Sequence, residues 1–475
     1  MEFIYTQRNK RKLIRNGFMY VFQKELSDGR QSWECVNRRG SKSRPGTCNA
    51  RIRLDSLDNF VESVNEHSCI PSQQMCEVAA VKSAIKRRAE TTNDTTQQIL
   101  AGELATISPA ASAILPVLSN MRRTIRSQRQ TNENLPPLPP SRADIPVLPA
   151  EFQTTISGQQ FLLYDSGVAD VNRILIFGSP DAVTLLEQSA DWFGDGTFKT
   201  VPEIFYQLYT VHALVSNNVF PCIYALLPNK TQATYTRLFQ ELSNVTNGAS
   251  PSSLLIDFEK AAQNAFEAVH PNADVSGCFF HLCKNIWRKV QSAGLQQRYQ
   301  DDAEFSISVR MIMALAFIPL PDLDTAFDDL FNEIRNNFNN DMDDVLNYFE
   351  DTYMGRPRRN GRRDPPMFAH EMWTMYSRTR NHLPRTNNNV EGWHRGLQFH
   401  INACHPNIWK FLNVIKREES LTKVKVNQCL GGIPVPENKR YADCNTRIVN
   451  IVQNYPGMQS LEYLRRIAYN LLQKN

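Results

Sequence analysis

The sequence of 475 residues contains no apolar run long enough to cross a bilayer. Its most apolar stretch, residues 311–320, is too short and includes Pro319, and no apolar signal region opens the chain. We therefore expect a soluble, intracellular protein without a membrane partner. We also expect a nuclear location, although the basic segment 8–15 fits a DNA-facing surface as well as a localisation signal.

A large net charge is also absent, because 53 lysines and arginines nearly balance 48 acidic residues and leave +5. The average charge therefore says little about partners. The basic residues are nevertheless unevenly spread: segment 1–53 has 13 of them against four acidic residues, and five arginines lie within segment 356–363. Local excesses of this kind are typical of surfaces that contact nucleic acid.

Cysteine is scarce, with ten residues and no secretory context, which favours thiols and metal ligands over a disulfide framework. The length and the 41% hydrophobic content predict more than one core. We divide the chain into five segments: a small β-rich zinc-binding module at 1–75, a helical or disordered Pro-rich linker at 76–150, the first part of an α/β core at 151–300, a helical insertion at 301–385, and a final core helix with a C-terminal helical region at 386–475.

The core segment has a readable order of strands and helices. Runs rich in β-branched and aromatic residues predict strands, and apolar residues at helical spacing predict helices. The predicted strands are 192–198, 205–215, 220–227, 253–256 and 275–280, and the predicted helices are 231–245 and 259–269. This β-β-β-α-β-α-β order is that of an RNase H-like mixed sheet. The last core helix is predicted to begin near Asn388.

Four potential metal ligands lie in the N-terminal module: Cys35, Cys48, His67 and Cys69. This is the number and chemistry of a closed tetrahedral Zn²⁺ site, and a small module with few large apolar side chains gains folding energy from such a metal. The alternative is that these are scattered thiols. Cys76 could also compete as a ligand, although a bystander thiol explains it more simply.

Basic residues surround these ligands, and their charge has the sign needed for contacts with DNA phosphates. The candidates are Arg38, Arg39, Lys42, Arg44, Arg51 and Arg53. A solvated basic surface without a partner is the alternative. In the helical insertion, Arg358 and Arg359 are candidates of the same kind, with a plain surface loop as the alternative.

Two aspartates follow apolar strands: Asp195 ends the first predicted strand, and Asp257 ends the fourth. Those strands are neighbours in an RNase H-like sheet, so the two carboxylates could hold divalent cations for phosphodiester chemistry. Glu391 lies in the first turn of the predicted last helix. Each residue alone has an ordinary explanation, as a turn or capping residue or by compensation of the helix dipole.

Three further residues are expected near this site. Cys278 and His281 form a Cys-x-x-His pair, for which a buried cysteine with a hydrogen-bonded histidine is favoured over a zinc site. His394 follows Glu391 by three residues on the same predicted helix and could face DNA or the metals. None of the three is assigned a catalytic role.

Two family resemblances sharpen these expectations. Over residues 3–69, the order of the N-terminal module resembles a FLYWCH zinc finger, a DNA-binding or protein-interaction module: Leu13, Gly17, Tyr20, Trp33, Cys35, Cys48 and His67. It departs at Cys69, where the family usually has histidine. Over residues 185–410, four signatures resemble the MULE (Mutator-like element) transposase domain: DGTF from 195, IDFEKA from 256, CxxH from 278 and NNNVEGWH from 387.

The second resemblance implies a DDE catalytic triad, which maps onto Asp195, Asp257 and Glu391, with a helical insertion between the last two. We therefore expect a transposase that recognises terminal inverted repeats, then cleaves and joins double-stranded DNA using Mg²⁺ or Mn²⁺, with structural Zn²⁺ in the finger. Its partners would be the element ends, target DNA and further copies of the chain in a homo-oligomer. The alternatives are a domesticated, non-catalytic DNA-binding transcriptional regulator and a finger that binds protein.

Overall fold

The computed structural model describes residues 1–6, 10–38, 48–92, 94–132, 135–359, 362–433 and 439–471. The chain forms two compact units, Met1–Pro137 and Leu138–Asn475. None of the described helices is both long enough and apolar enough to span a membrane.

The first unit begins with a six-stranded sheet in which neighbouring strands are antiparallel and follow chain order. Its strands are β1 (Glu2–Tyr5), β2 (Arg11–Arg15), β3 (Phe18–Glu25), β4 (Gln31–Cys35), β5 (Arg51–Leu54) and β6 (Phe60–Val64). Alternate side chains of β2 to β5 bury one face around Trp33, where Leu13, Tyr20 and Ile52 pack. A short 3-10 turn, Val36–Arg38, follows β4.

Four helices complete this unit: α1 (Gln73–Thr91), α2 (Thr96–Leu104), α3 (Pro109–Ser112) and α4 (Leu118–Asn132). They occupy much of the segment for which composition predicted a helical or disordered linker. Prolines are dense only after residue 135, and before it a few apolar side chains meet in a small core where the helices cross. Ile85, Ile99 and Ile125 belong to that core. Sparse apolar residues of this kind carry little periodic signal in the sequence.

The second unit contains a seven-stranded sheet with the order β13-β12-β9-β10-β11-β8-β7. Strand β12 runs parallel to β9 and β13, and the other pairs are antiparallel. The strands are β7 (Leu162–Asp165), β8 (Leu175–Phe177), β9 (Asp191–Thr197), β10 (Gln207–Val215), β11 (Asn218–Leu227), β12 (Ser253–Ile256) and β13 (Asp274–Gly277).

All five predicted strands are present, in the predicted sequence order, with β7 and β8 added beyond β11. The fifth strand is shorter than predicted and ends at Gly277. Residues Phe279, Leu282 and Ile286 are buried at helical spacing, so the chain turns into a helix where an apolar run suggested a longer strand.

The helices of the second unit are α5 (Ala150–Gln153), α6 (Pro180–Gln188), α7 (Gln232–Val245), α8 (Lys260–Val269), α9 (Phe279–Ser292), α10 (Gln296–Asp301), α11 (Ala303–Ala314), α12 (Leu323–Phe338), α13 (Asp343–Phe349), α14 (His370–Trp373), α15 (Tyr376–Arg380), α16 (Asn388–Ile401), α17 (Ile408–Leu430), α18 (Lys439–Gln453) and α19 (Ser460–Asn470). Short 3-10 turns lie at Leu315–Phe317, Leu320–Asp322 and Tyr455–Gly457, and a π-helical turn at Glu350–Met354. A large apolar core joins α9, α11 to α13, α18 and α19.

The two faces of the second sheet are covered by different helices. On one face, Trp192 and Tyr209 pack with side chains of α7 and α8 such as Leu238. On the other, Phe193 and Leu255 pack beneath Val390 of α16. Because side chains alternate along a strand, residues two positions after Phe193 and Leu255 point to the face covered by α16.

Candidate metal centres and the carboxylate edge

The four predicted zinc ligands meet in the structure. One ligand atom from each of Cys35, Cys48, His67 and Cys69 lies within 4.8 Å of all the others. The Sγ atoms of Cys35 and Cys69 are 3.7 Å apart, and His67 Nδ1 lies 3.3 Å from Cys48 Sγ and 3.5 Å from Cys69 Sγ. Tetrahedral Zn–S and Zn–N bonds predict ligand separations of about 3.5 to 3.8 Å, so the cluster has the size of a structural zinc site.

The His67 imidazole is held by aromatic neighbours on β3. Its Nε2 atom lies 2.8 Å from the Tyr20 hydroxyl, and the Phe18 ring stacks on it with centroids 3.5 Å apart. With Nδ1 directed at the thiols, Nε2–H donates to the tyrosine oxygen. Outer contacts of this kind orient a metal-binding histidine.

The thiols differ in how readily they ionise. Burial opposes ionisation of Cys48, but hydrogen bonds from the Ala50 N–H, the Cys69 side chain and the Ser68 N–H outweigh it and lower its pKa to about 6. Burial is the main cause that raises the pKa of Cys35 to about 12. A cation at the centre would favour the thiolate of both, because zinc binds deprotonated sulfur.

The basic residues predicted around these ligands are partly neutralised within the chain. Arg53 forms an ion pair of 2.6 Å with Glu62, and Arg38 lies 3.4 Å from the Glu34 carboxylate. Arg51 lies half-buried on β5. The other three predicted contacts, Arg39, Lys42 and Arg44, lie outside the described residues.

Strand register brings the two predicted aspartates together. Ser253 pairs with Asp191 and Leu255 with Phe193 across the parallel β12–β9 pair, so two residues further Asp257 follows β12 opposite Asp195. Neighbouring strands are about 4.8 Å apart, and both positions point to the face of α16. Backbone N–H groups of the next residues donate to these carboxylates, from Gly196 at 2.9 Å and from Phe258 at 2.6 Å.

Helix α16 is anchored at its start to the same part of the sheet. The buried Asn387 donates its backbone N–H to Cys278 Sγ at 3.2 Å and its side-chain amide to the Gly194 carbonyl at 3.1 Å. Val390 packs on the sheet, and the next residue, Glu391, is linked to Asp257 through His281, which lies 3.3 Å from each of the two carboxylates. We call the region of Asp195, Asp257 and Glu391 the carboxylate edge. The hydrogen bond that Cys278 Sγ accepts from the Asn387 N–H helps to position the start of α16.

His281 lies between two of the three carboxylates. Its Nε2 atom is 3.3 Å from Glu391 Oε1, and its Nδ1 atom is 3.3 Å from Asp257 Oδ1. The second contact has ion-pair distance without hydrogen-bond geometry, and Nδ1 has no hydrogen-bond partner among the described residues. Burial alone would lower the pKa of His281, but the neighbouring Cys278 thiol and the Glu391 and Asp257 carboxylates raise it to about 10.

His394 contacts the third carboxylate, with its Nδ1 atom 3.3 Å from Asp195 Oδ2. Its Nε2 atom lies 3.0 Å from the Thr210 hydroxyl, which lies 3.0 Å from His212 Nε2. All four side chains are buried. Sequence reasoning missed Thr210 and His212, although two polar residues at alternate positions of the otherwise apolar β10 were a usable signal. It also missed the positioning role of Asn387.

The three acidic side chains of the carboxylate edge differ in how exposed they are to solvent. The Asp257 side chain is 48% exposed, the Glu391 side chain 22% and the Asp195 side chain 12%. Within the described part of the chain, the Cys/His cluster is the one group of three or more potential ligands compact enough to hold a single ion. The side chains that form ion-pair contacts with the three carboxylates are the imidazoles of His281 and His394.

The arginines of segment 356–363 are largely paired with acidic residues. Arg358 pairs with Asp364, and Arg363 lies 2.9 Å from Glu350 and 2.6 Å from Asp328. Arg359 is exposed and has no ion-pair partner among the described residues.

Two parts of the chain are similar to known families. Residues 192–285 match the MULE transposase domain, and residues 3–68 match the FLYWCH zinc finger domain, which confirms both resemblances. The chain matches no curated protein. The first match includes Asp195, Asp257, Cys278 and His281 and ends before Glu391. Together the matches support a transposase-family function of nuclease type with DNA binding, and the Cys/His cluster supports structural zinc.

Proposed function

We propose that this protein is a DDE-type transposase that binds the ends of its element, cleaves DNA phosphodiesters and transfers the freed strand. The observation that supports the proposal is that Asp195 and Asp257 lie opposite each other on neighbouring strands of a mixed sheet, and that His281 contacts both Asp257 and Glu391. Nothing in the comparisons favours the non-catalytic regulator over this activity.

The order of the sheet supports an RNase H-like core. The five predicted strands lie side by side in the order β11-β10-β9-β12-β13. Strand β10 is antiparallel to β9, and β12 is parallel to it. Helix α8, which lies between the parallel strands β12 and β13, supplies the crossover connection that a parallel pair requires. In this proposal, the helices from α11 to α15 form the insertion, and α16 is the last core helix.

The donor chemistry of the edge fits Mg²⁺ or Mn²⁺, because all three candidate ligands are hard carboxylate oxygens on rigid elements. Such ions, when bound, activate the attacking oxygen and stabilise the leaving one. Asp195 and Asp257 would hold them from neighbouring strands, and Glu391 from α16. Glu391 and Asp257 would turn away from His281 to do so, and the exposed side of Asp257 leaves room for that rearrangement.

The finger would bind DNA at the element ends, with zinc fixing β4, β5 and the following segment. Joining two ends requires more than one copy of the chain, so we propose a homo-oligomer on DNA. We also propose a nuclear location, where such a protein would meet its DNA substrate.

The test uses full-length protein and a duplex that carries the inverted repeats flanking the gene. We expect Asp195→Asn and Glu391→Gln to reduce Mg²⁺-dependent cleavage by at least about 100-fold, more than is usual for removing an outer partner of a metal ligand. Asp274→Asn is the matched control, since Asp274 is exposed and opens β13 at the opposite end of the sheet. Cleavage by Asp195→Asn at the wild-type rate would disprove the assignment.

A further inference from the structure

Several of the basic residues that stand out in the sequence are paired with acidic neighbours. Arg53 and Arg38 face Glu62 and Glu34, and Arg358 and Arg363 face carboxylates of their own segment. An arginine that is paired with a carboxylate of the same chain has its charge partly neutralised, so it attracts a DNA phosphate less strongly. The DNA-binding cations of the second unit must therefore be sought where positive charge has no acidic partner.

Two such cations flank the carboxylate edge, one on each of two helices. Lys284 lies three residues after His281 on α9, and Arg395 lies four residues after Glu391 on α16. Residues three or four apart share one face of a helix. Because His281 and Glu391 approach to 3.3 Å, the two helices bring both cations close enough to Glu391 for their charges to act on it.

Both side chains are available to a ligand. Lys284 and Arg395 are exposed, and among the described residues neither forms an ion pair. The Arg395 guanidinium folds back along α16, since its terminal nitrogen is 3.9 Å from the point where a Cβ on Gly392 would lie. Burial raises the pKa of Glu391, but its hydrogen bond to His281 and the charges of His281, Lys284 and Arg395 lower it overall, so both cations act on this carboxylate.

We propose that Lys284 and Arg395 bind the backbone phosphates of the DNA strand that lies at the carboxylate edge. The inference rests on the proposed function and adds the residues that hold the substrate. A phosphate that approaches three carboxylates is repelled unless positive charge lies beside it. Arg395 offers paired N–H donors for a phosphate, and Lys284 offers a compact charge from the opposite helix. This pair, which we call the cationic rim, would add phosphate contacts beside the carboxylate edge to those predicted for Arg358 and Arg359.

The experiment measures binding of the inverted-repeat duplex by fluorescence anisotropy between 50 and 200 mM KCl, in an Asp195→Asn background so that no cleavage occurs. Each phosphate contact contributes about 0.9 to the slope of log K against log salt. We expect Lys284→Ala and Arg395→Ala each to reduce that slope by about 0.9, and Lys284→Arg and Arg395→Lys to retain it. Thermal unfolding checks that each variant is folded.

Arg288→Ala is the matched control, because Arg288 is exposed one turn beyond Lys284 on α9 and further from Glu391. The salt-dependence slope of Arg288→Ala should differ less from that of the Asp195→Asn parent than the slopes of Lys284→Ala and Arg395→Ala do. Unchanged slopes for both rim variants, with a reduced slope for Arg358→Ala with Arg359→Ala, would overturn the cationic rim. That outcome is separate from failure of the proposed function, which is read from cleavage by protein with Asp195 intact.

Discussion

The Cys/His cluster and the carboxylate edge are both built from residues predicted to bind metal, yet they are organised differently. The four ligands of the cluster lie within 4.8 Å of one another. At the carboxylate edge, imidazoles lie between the acidic side chains: His281 contacts Asp257 and Glu391, and His394 contacts Asp195. The ligand atoms of the first site converge on one point, and in the second site imidazole side chains lie next to the carboxylates.

The difference follows from what a metal would contribute at each site. A small module with little apolar core depends on its metal for folding, so its ligands must converge in the folded chain. A large sheet buried under helices is held by apolar packing, and acidic residues at its edge repel one another unless a positive group separates them. An exchangeable catalytic cation requires only that such an edge be able to rearrange.

Loss of a cluster ligand should have the largest effect. We expect Cys48→Ser to abolish stoichiometric zinc and unfold the N-terminal sheet, since binding and folding are coupled by roughly 10 kcal/mol or more in small zinc modules. Zinc analysis and hydrogen exchange over residues 1–92 measure both. Cys76→Ala should keep its zinc, because Cys76 packs with Ile4 and Ile14 away from the cluster. A zinc-free Cys48→Ser protein whose sheet stays protected would contradict this contrast between the two sites.

Crowding on the opposite face of β9, at the residue before Asp195, gives the next largest effect. A Cβ on Gly194 would lie 2.4 Å from the Tyr209 hydroxyl and 3.1 Å from Ile256, so Gly194→Ala should destabilise the second unit by about 3 kcal/mol, the upper end for overpacking. Denaturant unfolding measures the change. Gly396→Ala is the control: nothing lies within 4 Å of its Cβ position inside α16, and alanine there should stabilise by up to about 1 kcal/mol.

Removing the Asn387 hydrogen bond that anchors α16 should destabilise the second unit less than Gly194→Ala does. Asn387→Ala leaves the Gly194 carbonyl without its amide donor, and we expect a loss of about 2 kcal/mol, within the usual range for an unsatisfied buried group. Cleavage should fall with it, because Glu391 follows this anchor. Asn389→Ala, at an exposed position of the same asparagine run, should change neither quantity. Equal stability of the two variants would show that the anchor does not position the helix.

The smallest effect is expected at the outer contact of the cluster. Tyr20→Phe removes the hydroxyl that lies 2.8 Å from His67 Nε2, and zinc affinity should fall by about tenfold, the lower end for an outer partner, since the Phe18 stack remains. Competition with a chromogenic chelator measures it. Tyr5→Phe, at an exposed residue, serves as the reference. A Tyr20→Phe affinity equal to that reference would show that aromatic stacking alone orients the histidine.

The pattern of strands was largely readable because it is local. Apolar runs such as residues 207–215 and 218–227 determine strands regardless of their partners, and the boundaries differ from the prediction by few residues. The small helical core around Ile85 and Ile125 was not readable, because its members become neighbours only when helices cross. The buried chain through Thr210 and His212 was missed for the same reason, as its contacts join β10 to α16.

The sequence by itself determined the ligand types of the finger, the strand that ends in Asp195 and the strand that precedes Asp257, because side-chain chemistry and alternation are properties of short segments. Only the tertiary structure decided which charges are free. It paired Arg53 with Glu62, placed His281 between Asp257 and Glu391, and left Lys284 and Arg395 unpaired beside them. Electrostatic partnership depends on distance in space, and residues remote along the chain meet only after the helices have packed on the sheet.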